Sequence, residues 1–309
     1  MKNTRLFIFA GYDKFQRVDA TLLYYLDNLS KFGDIVFTMD NDLPDTELAK
    51  IKNVPNVLYA SAKRHGEYDF GSYKRGYIWA RDNNKLDKYD WIYLVNDSVF
   101  GPLTDLTKTL SIIEGMNSDF TGMVCCSTPD LPRHIQSWFV GLRKNVATSD
   151  LFNNFITSIQ PQAVKSIVVY KYEIRMTQIL SAAGYKYDAI YYDTDTSIYK
   201  RAAHAIAAGV PFIKKLSFSE NDKIQYCYPF LSPELTDMII SYANRYGIHL
   251  CPDRDVWKMP YKKVFRITIF GLPLISVHRQ VFQTNRAYKI YLCDAIPILK
   301  ILFNKLWKI

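Results

Sequence analysis

The sequence lacks the marks of several common protein classes, and each absence narrows what the chain can do. Nowhere in its 309 positions do 18 or more apolar residues run together, so no segment is long enough to cross a bilayer as a helix. Five cysteines, at positions 125, 126, 227, 251 and 293, form no Cys-x-x-Cys pair and leave an odd number. Cys125 and Cys126 are adjacent in an apolar run and read as buried thiols of a reducing compartment. The first apolar stretch, Leu6 to Ala10, is too short for a secretion signal. The expected setting is cytoplasmic, free or peripheral on the inner face of the cell membrane.

Chemical signatures are missing too. No Gly-x-Gly-x-x-Gly follows the first apolar run, which argues against a dinucleotide oxidoreductase. There is no Walker loop and no Gly-x-Ser-x-Gly elbow, which sets aside P-loop enzymes and α/β-hydrolases. The histidines at 65, 134, 204, 249 and 278 have no metal-ligand spacing. Despite a net charge of +9, no run of five or six Lys/Arg and no nucleic-acid-binding motif occurs, so nucleic acid is not expected as a partner.

What is present is aromatic and basic. Tyr, Phe and Trp make up 15% of the chain, enough for an aromatic core and for the rings of a carbohydrate cleft. The positive charge has one source. Residues 258–309 carry three Arg and seven Lys against Asp294, so residues 1–257 balance to zero. That tail holds two copies of one pattern, Phe265 to Ser276 and Lys289 to Lys300, each a basic-apolar run, a turn and an apolar-Pro-apolar segment. A domain over 1–257 and a basic apolar extension over 258–309 are expected. The extension suits an anionic membrane surface, or a hairpin packed on the domain with its cations in water.

Apolar runs at Leu6–Ala10, Asp34–Met39, Asn56–Ala60 and Asp90–Val95 read as strands. Helical spacing over Val18–Phe32, a short helix over Thr46–Ile51 and a helix over Ser72–Asn83 separate them. This alternation predicts a parallel sheet covered by helices. Further on, Asp119–Ser127 and Ile135–Arg143 read as strands, and Asp150–Ile159, Lys171–Gly184 and Ser232–Gly247 as helices. In such sheets ligands bind beyond the carboxyl ends of the strands. Polar loops stand there: Gly11-Tyr12-Asp13, Asp40 to Asp42, Lys63 to Asp69 and Asn96-Asp97-Ser98.

Asp97 is the leading candidate. A carboxylate after a buried strand is costly unless it has a task, and a divalent cation on a diphosphate is one such task. Mg²⁺ or Mn²⁺ held by Asp97 is therefore expected, although Asn96 stands where an Asp-x-Asp would have its first acid. Capping of the turn before Gly101-Pro102 is the other reading. Asp69 is placed to bond a hydroxyl, Gly71 to allow close backbone approach, and Ser72 and Lys74 to receive phosphate at a helix start. Glu173 reads as the first-turn acid of a helix, stabilised by its dipole, or as a base for an acceptor hydroxyl, with Asp130 as rival. His134 and Gln136 alternate beside Trp138 and can touch phosphate or sugar.

On these residues the chain resembles the rhamnan-synthesis protein F family of bacterial polysaccharide glycosyltransferases. The matching stretches are Phe9 to Asp13, Asp69 to Gly76, Asn96 to Pro102, His134 to Phe139, Tyr172-Glu173 and Pro211 to Lys214. The resemblance implies the A-type glycosyltransferase fold, a Rossmann-like mixed sheet flanked by helices. It implies a nucleotide-diphospho-sugar donor, dTDP-rhamnose or a UDP-sugar, and a growing glycan or lipid-linked acceptor in O-antigen, capsule or cell-wall assembly. Asp13 and Asp69 would then position the donor, with inversion at the sugar. The Glu173 segment is also similar to the Glu-Asp helix of the large inverting family, with Ile174 in place of the second acid. Gly66-Glu67-Tyr68 departs from the Glu-Asn usual before Asp-Phe-Gly. A non-catalytic carbohydrate- or nucleotide-binding protein is the second function these residues allow.

Overall fold

The computed structural model describes residues 3–127, 131–194, 198–220, 227, 229–248 and four strands between 262 and 304, with residues 219–220 and those four strands as backbone alone. Its first half alternates as the apolar pattern predicts: β1 (Arg5–Gly11), α1 (Ala20–Ser30), β2 (Asp34–Met39), α2 (Asp45–Lys52), β3 (Val57–Ala62), α3 (Tyr68–Asp82) and β4 (Trp91–Asn96). There follow β5 (Val99–Phe100), β6 (Phe120–Cys126), β7 (His134–Ile135), β8 (Phe139–Arg143), β9 (Tyr187–Asp193) and β10 (Ile213–Lys214). Eight of these strands form one sheet in the order β3-β2-β1-β4-β8-β6-β7, with β9 on β6. Strands β1 to β4 are mutually parallel, β8 runs against both β4 and β6, and β9 is parallel to β6. The fold is thus mixed α/β and Rossmann-like, as the resemblance implies.

The continuous apolar run of β1 is explained by burial on both faces. Leu6, Ile8 and Ala10 join one core with Phe70, Tyr73 and Tyr77 of α3, while Phe7 and Phe9 join another with Leu22, Tyr25 and Leu26 of α1. Successive side chains of a strand point oppositely, so one run serves two layers. Each such side chain contributes about 1.5–3 kcal/mol when fully buried. Helix α3 sits close because residue 76 is glycine: a Cβ there would stand 2.6 Å from Ile8 Cγ2. Asp19 caps α1 by accepting the Leu22 N–H.

Strand order reverses between β1 and β4, and Ala10 lies in register with Asn96. The loops after the two strands therefore leave side by side, at the position where open α/β sheets bind ligands. A two-stranded antiparallel pair, β5 with β10, sets Lys214 opposite Val99 just past this point.

Several boundaries differ from the pattern. Helix α3 begins at Tyr68, not Ser72, because Asp40 of the β2 exit caps it from outside the local sequence. The strand expected over Ile135–Arg143 is broken into β7 and β8 by a turn at residues 136–138. The helix expected from Lys171 runs from Lys165 to Ala182, with a π turn over Val169–Ile174. The helix Pro233–Tyr246 matches expectation: Ser232 accepts the Leu235 N–H, and Gly247 ends it with φ +67°.

The repeated tail forms a separate four-stranded antiparallel sheet: β11 (Lys262–Ile269), β12 (Leu272–Phe282), β13 (Asn285–Leu292) and β14 (Ile296–Asn304). Each copy of the pattern is one hairpin, joined through β12 and β13. Pro273 and Pro297, equivalent in the two copies, each pair beside a register shift, where a residue without an N–H is tolerated. The side chains of this sheet lie outside the described residues.

Candidate functional site

A cleft of about 560 Å³ opens beyond the carboxyl ends of β1, β2 and β4. That is the size of a small-molecule pocket. Gly11 and Tyr12 line it from β1, Asp40 from β2, and Asn96, Asp97 and Ser98 from β4. Tyr68 and Asp69 arrive on α3, and Lys165, Lys215, Tyr242 and Tyr246 from later elements.

At the β4 exit the chain is pinned to β1. The Asp97 N–H donates to Ala10 O at 3.2 Å, and the Tyr12 N–H donates to Asp97 Oδ2 at 3.2 Å. Asn96 is spent inward: its Oδ1 accepts the Ser98 N–H at 3.1 Å and the Ser98 hydroxyl at 2.6 Å, and its Nδ2 donates to Asp69 Oδ2 at 3.1 Å. The Lys214 ammonium donates to Ser98 Oγ at 2.7 Å and stands 5.4 Å from the centre of the Trp138 ring. Burial raises the Asp97 carboxyl above the usual range, against the pull of Lys215. Burial raises Asp69 as well, with Lys165 and Lys214 opposing and Glu173 adding to the rise. Burial pushes the Lys214 ammonium down to about 8, helped by Lys165 and opposed by Glu173, Asp69 and Asp97.

These surroundings do not fit a divalent cation at Asp97. One of its oxygens already accepts an N–H, Asn96 is spent inward, and the Ser98 hydroxyl is bonded by an ammonium that would repel the ion. No group of three or more His, Cys, Asp or Glu able to hold a metal occurs among the described residues.

The β2 exit is arranged differently. Asp40, 3% exposed, accepts the N–H groups of His65 and Gly66 at 2.8 Å each and of Tyr68 at 3.1 Å. Two amides of the loop before α3 and the first amide of α3 thus bond a carboxylate of the protein itself. Ser72 lies a turn further on, its hydroxyl 3.0 Å from His65 Nε2 and its carbonyl bonded by Thr38. Burial pushes His65 down to about 4, so its ring is neutral at physiological pH. The space beside Gly71 is filled by Glu67 and His65, and Lys74 donates to Glu67 Oε1 at 2.8 Å and to Ile159 O at 2.6 Å. Gly71, Ser72 and Lys74 are therefore internal to the α3 package and are not among the residues that line the cleft.

Glu173 sits in the π turn rather than at a helix start, so its fixation comes from tertiary donors and not from a dipole. Such turns interrupt helices most often at functional sites. Its Oε2 accepts the Ser137 N–H at 2.7 Å and the Ser137 hydroxyl at 2.5 Å, and its Oε1 is 3.6 Å from His134 Nε2. His134 donates from Nδ1 to Pro132 O at 2.6 Å. Burial works to raise the Glu173 carboxyl, but His134 and Ser137 outweigh it and hold it below the usual range. Burial likewise opposes charge on His134, yet Glu173 and the Pro132 carbonyl raise its pKa. Gln136 accepts the Trp138 indole N–H at 2.9 Å. Asp13 is taken up by Tyr246 at 2.9 Å, by Arg245 at 2.8 Å and by the amides of Phe15 and Arg17, and it is not among the residues that line the cleft. Asp130 lies outside the described residues.

Of the expected residues, Asp69, Asn96, Asp97 and Ser98 come together in the cleft; half-buried Glu173 pairs with buried His134, and the Glu173 charge acts on Asp69. Sequence reasoning missed Asp40 as a cap, Ser137 as the Glu173 donor, and Lys165, Lys214, Lys215, Tyr242 and Tyr246 as site residues. The Lys214-Lys215 pair after Pro211-Phe212-Ile213 is the signal that could have been used.

A Rossmann-like sheet with a charged cleft at its switch point defines the fold class, and comparison with known families narrows it. The model of the rhamnan synthesis protein F family matches residues 35–248, well over half of the sequence. The chain belongs to that family, and a role in polysaccharide synthesis goes with it. It is also similar to two sequences named virulence protein VirA from Vibrio anguillarum, one of them from strain ATCC 68554 / 775. Each is 24% identical over 264 residues, covering 84% of this chain and 75% of the relative. No described helix is long and apolar enough to cross a membrane.

Proposed function

We propose that the protein is a glycosyltransferase that moves a hexose, rhamnose foremost, from a nucleotide-diphospho-sugar to a growing bacterial surface glycan or lipid-linked acceptor, with inversion. The observation that carries this is the cleft at the β1/β4 switch point, where Asp69 and Asp97 stand among lysines and the half-buried Glu173 is close enough for its charge to act on Asp69. In this reading the acceptor hydroxyl gives its proton to Glu173, and its oxygen attacks the anomeric carbon. The bond from that carbon to the diphosphate oxygen breaks, and the electron pair leaves on the diphosphate. Glu173 is ionised at neutral pH and a weak base, so proton transfer belongs to the transition state, when the hydroxyl has become acidic. Ser137 and His134 orient it. Asp130 is the alternative base. Asp69 and Asp97 accept donor hydroxyls, and Tyr12, Tyr242 and Tyr246 offer rings to base or sugar. The basic extension would meet the acceptor at the cytoplasmic membrane face.

The test is release of nucleoside diphosphate from dTDP-rhamnose and from UDP-sugars, with glycan and lipid-linked acceptors, by the unaltered chain and by Glu173→Gln. Turnover that falls by about 10²–10⁴-fold in the variant, with donor binding kept, is the expected result. Donor binding without turnover on any acceptor would mean a binding protein instead.

A further inference from the structure

Resting on the reading of the cleft as a nucleotide-diphospho-sugar site, we propose that the donor diphosphate is held, and its leaving charge neutralised, by the ammonium groups of Lys165 and Lys215 in the cleft, with Lys214 backing them through Ser98, without a divalent cation. Two of the lysines are built into the site. Strand β10 pairs with β5, which follows Asp97 directly, and the Lys215 N–H donates to Ser98 O at 2.9 Å. This places two consecutive lysines against the β4 exit. Lys214 Nζ bonds Ser98, and Lys215 Nζ lies 4.5 Å from the Tyr242 ring, which leads it along the cleft wall. Lys165 comes from the helix that continues into the Glu173 turn.

Charge counting gives the same answer. Lys14, Arg64, Lys165 and Lys215 line the cleft and Lys214 lies behind Ser98, against Asp40, Asp69 and Asp97. Five cations against three carboxylates leave a surplus of two positive charges, which a diphosphate diester cancels. Glu173 is matched separately by His134. Burial keeps Lys214 partly deprotonated near neutrality, and an anion bound against it restores the charge. Ammonium groups lining the cleft offset the charge of a departing diphosphate as a metal would.

Titration calorimetry of the full chain with dTDP and with UDP tests this, in Mg²⁺ and in excess chelator. Equal affinity in both conditions is expected, with Lys214→Gln and Lys215→Gln each weakening binding about tenfold or more while thymidine and uridine bind unchanged. Binding that needs Mg²⁺ or Mn²⁺ overturns the proposal and leaves the donor reading standing. Lysine variants that bind like the unaltered chain also overturn it. If neither nucleotide binds with or without metal, the donor reading itself fails. The chelator arm uses the unaltered chain, so it decides even where a variant folds poorly.

Discussion

Asp40 and Asp97 follow buried strands of the same sheet and reach the same cleft, yet their charges do opposite work. Asp40 gives its carboxylate to three backbone N–H groups at the start of α3, an anion site that the protein fills for itself. Asp97 accepts a single amide, that of Tyr12, and otherwise faces the lysines of later elements. The first carboxylate is structural because its donors are fixed amides. The second keeps capacity for a ligand because its counter-charges are flexible side chains.

The largest break of this contrast is Asp40→Ala. It leaves three half-buried donors without their carboxylate and is expected to lower stability by about 2–4 kcal/mol, read by denaturant unfolding. Asp97→Asn should do the reverse: turnover falls by about tenfold to hundredfold while the melting temperature holds or rises. The sign follows from its raised pKa. Burial penalises the ionised form, so removing that charge relieves a cost present above the unfolded-state pKa. If both variants lose stability equally, the contrast between the two exits is wrong.

Both exits also depend on the close seat of α3. Gly76→Ala drives a methyl against Ile8 and is expected to cost about 1–3 kcal/mol, less what the better helix former returns. Because Asp69 rides on α3 and Asn96 bonds it, donor affinity should weaken in the same variant.

The smallest effect is with pH. The Lys214 ammonium is charged below about 8 in the free protein, and an anion binds the charged form. Affinity for dTDP should therefore be greatest between about pH 7, where its terminal phosphate is fully ionised, and that pH, and fall by up to about tenfold per unit above it, as binding must then take up a proton. Lys214→Gln should flatten the profile.

How much of this was legible in the sequence differs along the chain. The parallel half was readable because β1, β2 and β4 are continuous apolar runs buried on both faces, with amphipathic helices between them. Ser232, Pro233 and Gly247 mark a helix by local chemistry alone, so its ends were readable too. The antiparallel half was less so. The break between β7 and β8 serves to aim Ser137 at Glu173, and the π turn serves to aim Glu173 back. Neither has a local signature, since each exists for a partner 36 residues away.

The sequence by itself determined the alternating strands and helices of the first half, the polar exits where a cleft was expected and the acids at Asp69 and Asp97, because burial pattern depends on local periodicity. Only the tertiary structure decided which charges meet. Asp40 takes the first amide of α3, at a helix start that had looked open to phosphate, and Lys214 takes the Ser98 hydroxyl beside Asp97. Those pairings join residues far apart in the chain. Electrostatic roles depend on distance and burial, which folding sets and sequence spacing does not.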